Sequence, residues 1–142
     1  MKNPKTTDDL CRELFESNNI DDYIKENQAL FSHTSAAEAL ANLCKKHPIS
    51  KIALARRAGM SEVYLHQVLS SRRNPSRDRL LCLCLGMEAT LDEAQALLRQ
   101  SGYAQLDPKI QRDAIISYGI LHRMELAKIN DKLFDKNEKT LF

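Results

Sequence analysis

Three observations in the sequence predict an all-helical protein. Its 142 residues include four Gly and four Pro, which is few for a chain of many short strands and turns. Leu, Ala, Glu, Lys, Arg and Gln are abundant, and these residues favour helices. Capping residues and helix stops divide the chain into seven or eight short segments, and none of them is a convincing strand.

The first elements are predicted to form an N-terminal helical extension over residues 1–34. Thr7 can cap a helix that ends at Asn18-Asn19. A second segment, from Ile20 to Phe31, has its apolar residues at mostly helical spacing.

Five further helices are predicted within residues 35–102. Ser35 and Thr90 each precede an acidic residue three positions on, which is the pattern of a capping box. Gly59 and Gly102 are typical helix stops, since glycine adopts the left-handed conformation without steric cost. The predicted helices span residues 35–47, 50–58, 61–70, 76–86 and 90–101.

Residues 103–142 are predicted to form a C-terminal helical extension. Asp107-Pro108 provides a cap followed by proline at the first helical position. The buried residues expected in the helix that follows are Ile110, Ala114, Ile115 and Tyr118. A last helix should bury its apolar face through Leu126, Ile129, Leu133 and Phe134. We expect residues 135–142 to be frayed.

The positive charge is concentrated in the middle of the chain. The formal net charge is +2, but residues 51–81 contain seven Lys or Arg against two Asp or Glu, whereas the segments on either side are slightly acidic. Such a concentration is typical of a surface that faces phosphates, although a run of charge alone often marks only a solvated helix face.

Residues 54–68 have the spacing of a helix-turn-helix. A small residue, Ala55, lies in the middle of the first helix, where the second helix must cross closely, and Gly59 follows four residues later at the sharp turn. Ser61 can cap the second helix, on which Leu65 and Val68 would pack back against the first. Any hairpin of two helices could use such residues, so the spacing alone does not indicate DNA binding. The basic residues that flank the motif favour this interpretation.

With these flanks, residues 35–100 resemble the phage-repressor family of DNA-binding domains, the Cro/CI or XRE type. The segment Arg72-Arg73-Asn74-Pro75-Ser76 is similar to the loop that follows the recognition helix in this family, and residues 80–93 are similar to the family's last two helices. Gly102-Tyr103 and residues 112–116 resemble bacterial members with an extra helical tail. The resemblance implies a lambda-repressor-like five-helix domain that binds double-stranded DNA, commonly as a homodimer, and regulates transcription.

The resemblance also implies which residues contact DNA. The base-reading residues would be Glu62, Val63, His66 and Gln67. The residues near phosphates would be Lys51, Ser61, Tyr64, Arg72, Arg73, Ser76 and Arg77. Glu62 departs from the uncharged polar residue common in the family, since it can accept a hydrogen bond from cytosine but is repelled by phosphate.

Several of these residues also have a purely structural interpretation. Tyr64 can equally be a partly buried core aromatic, and Arg56 and Arg57 are better explained as a solvated face. Arg79 is expected to be structural.

Other functional classes are less favoured by the sequence. No phosphate-binding glycine loop or catalytic motif is present, so we expect neither an enzyme nor a cofactor. Cysteines 11, 44, 82 and 84 lack metal-site spacing, so we expect no metal. The polar N-terminus and the lack of an apolar run of about 20 residues predict a cytoplasmic protein. The main alternative is a protein-interaction module that uses a repressor-like fold or its terminal helices to bind a partner protein or peptide.

Overall fold

A computed structural model describes residues 5–31 and 35–142, and every regular element in these two ranges is helical. The predicted all-helical class is therefore confirmed for the described chain. The helices are α1 (Thr7–Glu16), α2 (Ile20–Glu26), α3 (Ala36–Lys46), α4 (Lys51–Arg57), α5 (Glu62–Leu69), α6 (Arg77–Gly86), α7 (Leu91–Gln100), α8 (Gln111–Leu121) and α9 (Leu126–Asp135). A short 3-10 turn, Gln28–Leu30, follows α2.

The chain divides into two compact units, Met1–His33 and Thr34–Phe142. In the first unit, α1 and α2 bury no apolar side chain and are joined by polar contacts. Asn27 is buried and donates a hydrogen bond to Glu13, which also pairs with Lys5 at 2.7 Å. The cap of α1 is Thr6, one residue before the predicted Thr7, because Thr6 and Asp9 form a reciprocal capping box.

In the second unit, α6 lies at the centre of the core. All residues from Leu80 to Gly86 are buried, so this helix has no solvated side. Helices α4, α7, α8 and α9 all pack against it. Burial raises the pKa of Cys82 to about 11 and that of Cys84 to about 12, which keeps both thiols protonated and unreactive at neutral pH.

Helices α4 and α5 form a helix-turn-helix with the geometry predicted from the spacing. Ala55 is buried where the helices meet, and Gly59 has the expected left-handed backbone with φ of 69°. The N–H of Met60 donates to the carbonyl of Ala55 at 2.9 Å, which closes the turn. Leu65, ten residues after Ala55, is buried against the same core.

Helices α8 and α9 repeat this arrangement. Gly119 occupies the position of the small residue, and Arg123, four residues later, is left-handed with φ of 50°. The N–H of Met124 donates to the carbonyl of Gly119 at 2.9 Å, as Met60 does to Ala55. Ile129, ten residues after Gly119, is fully buried and packs directly on the glycine.

The prediction for α8 was wrong in its start and in its buried face. The helix begins at Gln111, after a separate turn at Pro108-Lys109, and its buried side includes Ile116 and Ile120. Ile110 and Tyr118, which were expected in the core, are 51% and 58% exposed. In α9, Leu126, Ile129 and Leu133 are buried as predicted, but Phe134 is exposed.

Residues 136–142, which follow α9, pack against the rest of the second unit. The prediction that residues 135–142 are frayed was therefore wrong. Leu141 is buried and its N–H donates to Asn130 Oδ1 at 2.8 Å. Arg112 donates to the carbonyls of Lys139 and Thr140. The ring of Phe142 lies against the turn at Gly59, so close that a Cβ added to this glycine would be 2.8 Å from the ring.

Among the described residues, no helix combines the length and the apolar composition that a membrane crossing requires.

We predict that Gly119→Ala destabilises the protein by about 1 to 2 kcal/mol, although alanine is the better helix former. The reason is overpacking, because the new Cβ would overlap with Ile129 Cδ1. The free energy of unfolding in urea measures the effect.

Ile129→Ala supplies the control for this prediction, since it removes the clashing atoms and leaves Cβ at 3.9 Å. Adding Gly119→Ala to Ile129→Ala should cause no further loss of stability. Equal losses in both backgrounds would contradict the close approach of the two helices.

Candidate nucleic-acid interface

Helix α5 is held in place by its caps and by its buried side. The Ser61 hydroxyl accepts a hydrogen bond from the N–H of Tyr64 at 3.0 Å and thereby caps α5. Leu65 and Val68 are buried, and they anchor the helix against α3 and α4. The remaining side of α5 faces away from this core.

The four residues predicted to read bases lie together on that outward side. Glu62, Val63 and His66 are exposed, whereas Gln67 is half-buried. Val63 is 67% exposed. Positions 62 and 63 are followed by positions 66 and 67 one helical turn later. This spacing places the four side chains on one face, where they could enter a groove together.

Gln67 is oriented by a neighbouring predicted phosphate contact. Its Oε1 accepts a hydrogen bond from Arg73 Nε at 2.8 Å. One acceptor direction of the amide is therefore occupied, while its N–H₂ group makes no hydrogen bond with the described protein. Gln67 and Arg73 form a coupled pair rather than two separate contacts.

The loop after α5 is closed by backbone hydrogen bonds. The N–H groups of Arg72 and Arg73 both donate to the carbonyl of Gln67, at 2.8 and 3.2 Å. Ser71 is left-handed with φ of 63°, which turns the chain away from the helix axis. Both arginine side chains are exposed at this end of α5.

The ring of Tyr64 lies beside the guanidinium groups of two arginines. Its ring packs partly against the core, and the guanidinium groups of Arg73 and Arg79 lie 5.8 and 5.5 Å from its centroid. Arg79 also donates a long hydrogen bond, 3.4 Å, to the carbonyl of Gly59. The core interpretation of Tyr64 and the structural interpretation of Arg79 both fit this geometry.

Arg77 forms an intramolecular ion pair with Asp113. This pairing does not favour the predicted contact of Arg77 with phosphate. Its Nη1 and Nη2 donate to the two carboxylate oxygens of Asp113, each at 3.1 Å, and Asp113 is buried. Nε and Nη2 also donate to the carbonyls of Ala104 and Gln105. With these donors engaged, Arg77 holds α6 to α8, and we remove it from the candidate interface.

A second ion pair, between Arg112 and Asp78, lies beside the Arg77–Asp113 pair and could not be predicted from the sequence. Arg112 donates through Nη1 and Nη2 to the two oxygens of Asp78, each at 3.0 Å. The adjacent pairs Arg77-Asp78 and Arg112-Asp113 thus bind each other crosswise. The only signal available in the sequence was the occurrence of two Arg-Asp dipeptides, which by itself does not indicate contact.

The other predicted phosphate contacts lie at helix starts. Lys51 is the exposed first residue of α4, which is capped by Ser50. Ser76 is exposed and caps α6, where its hydroxyl accepts from the N–H of Arg79 at 3.2 Å. Both side chains are accessible to solvent.

The described residues contain no cluster of three His, Cys, Asp or Glu side chains that could hold a metal ion. His47 instead pairs with Glu93 at 2.8 Å, and Glu93 also closes the capping box of α7 with Thr90.

Comparison of the chain with protein-family models, with curated proteins and with solved structures found no match in any of the three.

We predict that Arg77→Gln lowers the free energy of unfolding by about 3 kcal/mol, because it leaves the buried Asp113 carboxylate without its cation. Urea unfolding followed by circular dichroism measures this. The matched control is Arg72→Gln, which removes an exposed guanidinium and should change stability by less than about 0.5 kcal/mol. Equal stability of the two variants would argue against the structural role of Arg77.

Proposed function

We propose that the protein binds double-stranded DNA through α4 and α5, with α5 in the major groove, and acts as a repressor-like transcriptional regulator. In this proposal α3 to α7 form a lambda-repressor-like five-helix domain, of which α4 and α5 are the second and third helices. The observation that carries the proposal is the outward face of α5. It presents Glu62, Val63, His66 and Gln67 together, on a helix whose other side is anchored in the core.

Sequence preference would come from this face. Gln67 can donate its amide N–H₂ to an acceptor on a purine edge while Arg73 holds its oxygen. His66 can donate to a base acceptor or a phosphate, and Val63 can contact a thymine methyl group. Glu62 can accept from the amino group of cytosine.

Affinity would come from a smaller set of cations than the charge of residues 51–81 suggests. Arg72 and Arg73 are exposed at the C-terminal end of α5, and Lys51 is exposed at the start of α4. The hydroxyls of Ser61 and Ser76 lie at capped helix starts, where backbone N–H groups also favour phosphate. Tyr64 would act by supporting Arg73.

The proposed function also indicates how the protein assembles and where it acts. A single helix-turn-helix contacts few base pairs, so a cytoplasmic homodimer that binds two half-sites about one helical turn apart is favoured. No catalytic role is proposed for any residue.

A protein-interaction module is the second candidate. It is favoured by exposed apolar side chains on the last two helices, where Tyr118, Leu121 and Phe134 are 58%, 62% and 75% exposed. A salt titration with random duplex DNA separates the two functions. A DNA-binding protein loses affinity steeply as salt rises, whereas an interaction module binds little at any salt concentration.

We predict that Gln67→Ala and Arg72→Ala weaken DNA binding in different ways. Gln67→Ala should cost roughly 1 to 3 kcal/mol on the preferred site and relax its sequence preference. Arg72→Ala should weaken all sequences about equally and reduce the slope of log affinity against log salt by about one. Fluorescence anisotropy with a selected site and a random duplex measures both.

Arg99→Ala is the matched control, since Arg99 is an exposed arginine on α7, a helix that contributes no residue to the proposed interface. Arg73→Ala should combine the two effects, because it also releases the Gln67 amide. DNA binding that is unchanged by all of these substitutions would remove α5 as the reading element and favour the interaction module.

We predict that Glu62→Gln raises affinity for random duplex DNA, because it removes a negative charge from the helix face that would lie beside phosphates. Asp131→Asn removes the same charge from the exposed side of α9 and should have a smaller effect. Anisotropy at several salt concentrations measures the difference. An equal gain in both variants would mean that only net charge matters, and that α5 has no special position.

A further inference from the structure

A cavity lies on the second unit beside the helix-turn-helix. It has a volume of about 400 Å³ and is partly open to solvent. Its walls come from the end of α4 and the Gly59 turn, the end of α6, the turn between α8 and α9, and Phe142. The volume lies within the usual range for small-molecule sites, about 300 to 1,000 Å³.

Three arginines line this cavity from two separate parts of the chain. Arg56 and Arg57 come from the last turn of α4, and Arg123 comes from the turn before α9. None of the three forms an ion pair with an acidic side chain in residues 5–31 or 35–142. This differs from Arg77 and Arg112, whose charges are neutralised by bidentate carboxylates.

The cavity also has an apolar wall and two acceptors. Leu85, Met124 and the ring of Phe142 provide apolar surface. Glu88 and Glu125 also line the cavity, and each can accept hydrogen bonds from hydroxyl or amino groups. A ligand that fits this lining has an anionic group for the arginines, a flat or apolar part, and hydroxyl groups.

We propose that this cavity binds a small organic phosphate of about the size of a nucleoside monophosphate. Arg57 and Arg123 hold the phosphate by charge-assisted hydrogen bonds, with Arg56 adding positive potential. Phe142 and Met124 contact the flat part of the ligand, and the two glutamates accept from its hydroxyls. The site is separate from the outward face of α5, so it stands whether or not the protein binds DNA.

Inorganic phosphate should bind more weakly than the organic phosphate, since it uses the arginines but not the apolar wall. A neutral nucleoside should also bind weakly, since it uses the wall but not the arginines. Glu88 and Glu125 add to the discrimination, because they can accept hydrogen bonds from the sugar hydroxyls of an organic phosphate.

The test is a titration of the full chain with adenosine 5′-monophosphate, uridine 5′-monophosphate and glucose 6-phosphate, with adenosine and inorganic phosphate as comparison probes. Isothermal titration calorimetry at an ionic strength of about 0.15 M limits unspecific attraction to the basic surface. We expect saturable binding of at least one nucleotide, about tenfold or more tighter than either comparison probe.

Arg57→Gln and Arg123→Gln should each weaken this binding about tenfold or more, while Arg99→Gln, at an exposed position of α7 outside the cavity, leaves it unchanged. The thermal midpoint of each variant without ligand shows that it is folded. Because the chain contains no Trp, Phe142→Trp supplies a single tryptophan on the cavity wall, whose emission should change on titration.

Two results would overturn the proposal. One is the lack of saturable binding by every organic phosphate of the panel up to millimolar concentration. The other is binding that Arg57→Gln, Arg123→Gln and Arg99→Gln weaken equally, which would show general attraction to the positive surface. If the unsubstituted protein does not bind double-stranded DNA but does bind the nucleotide, the proposed function is overturned and this site stands.

Discussion

The burial of α6 on all sides is the constraint on which the second unit depends. A helix that is apolar only along one stripe can lie on a surface, but Leu80–Gly86 is buried without interruption and must be surrounded. Helices α4 and α7 cover part of it, and α8 and α9 cover the rest. The C-terminal helices are therefore part of the core, and their packing determines the position of the segment that crosses the Gly59 turn.

The start of α6 shows how this core affects the candidate interface. Arg77-Asp78 and Arg112-Asp113 pair crosswise, so the charges of Arg77 and Asp78 serve to join α6 to α8. The basic segment of residues 51–81 is consequently not one surface. Arg79 lies over Tyr64, and Arg56 and Arg57 line the cavity beyond the turn. The other exposed cations of this segment are Lys51 at the start of α4 and Arg72 and Arg73 after the end of α5.

The helix pairs α4–α5 and α8–α9 are joined by the same local backbone pattern. In each, a small residue permits close crossing, a left-handed residue four positions later turns the chain, and an apolar residue ten positions later packs into the core. The two pairs differ in what their second helix presents. Helix α5 presents polar side chains and exposed Val63, whereas Lys128 and Asp131 are mixed charges on the exposed side of α9. This difference is the reason why the proposed function places α5, and not α9, in the DNA groove.

Most of the structural features that could be predicted from the sequence depend on interactions between residues that are close in the chain. The caps at Ser61 and Thr90, the left-handed turns at Gly59 and Gly102, and the buried Ala55 each depend on residues within a few positions. The buried face of α8, the ordered tail and the roles of the arginines were decided by tertiary structure. Arg77 and Asp113 are 36 residues apart, and nothing in either residue's neighbourhood indicates the contact. Helical spacing identifies which residues share a face, but the direction in which that face points is settled only when the other helices are packed around it.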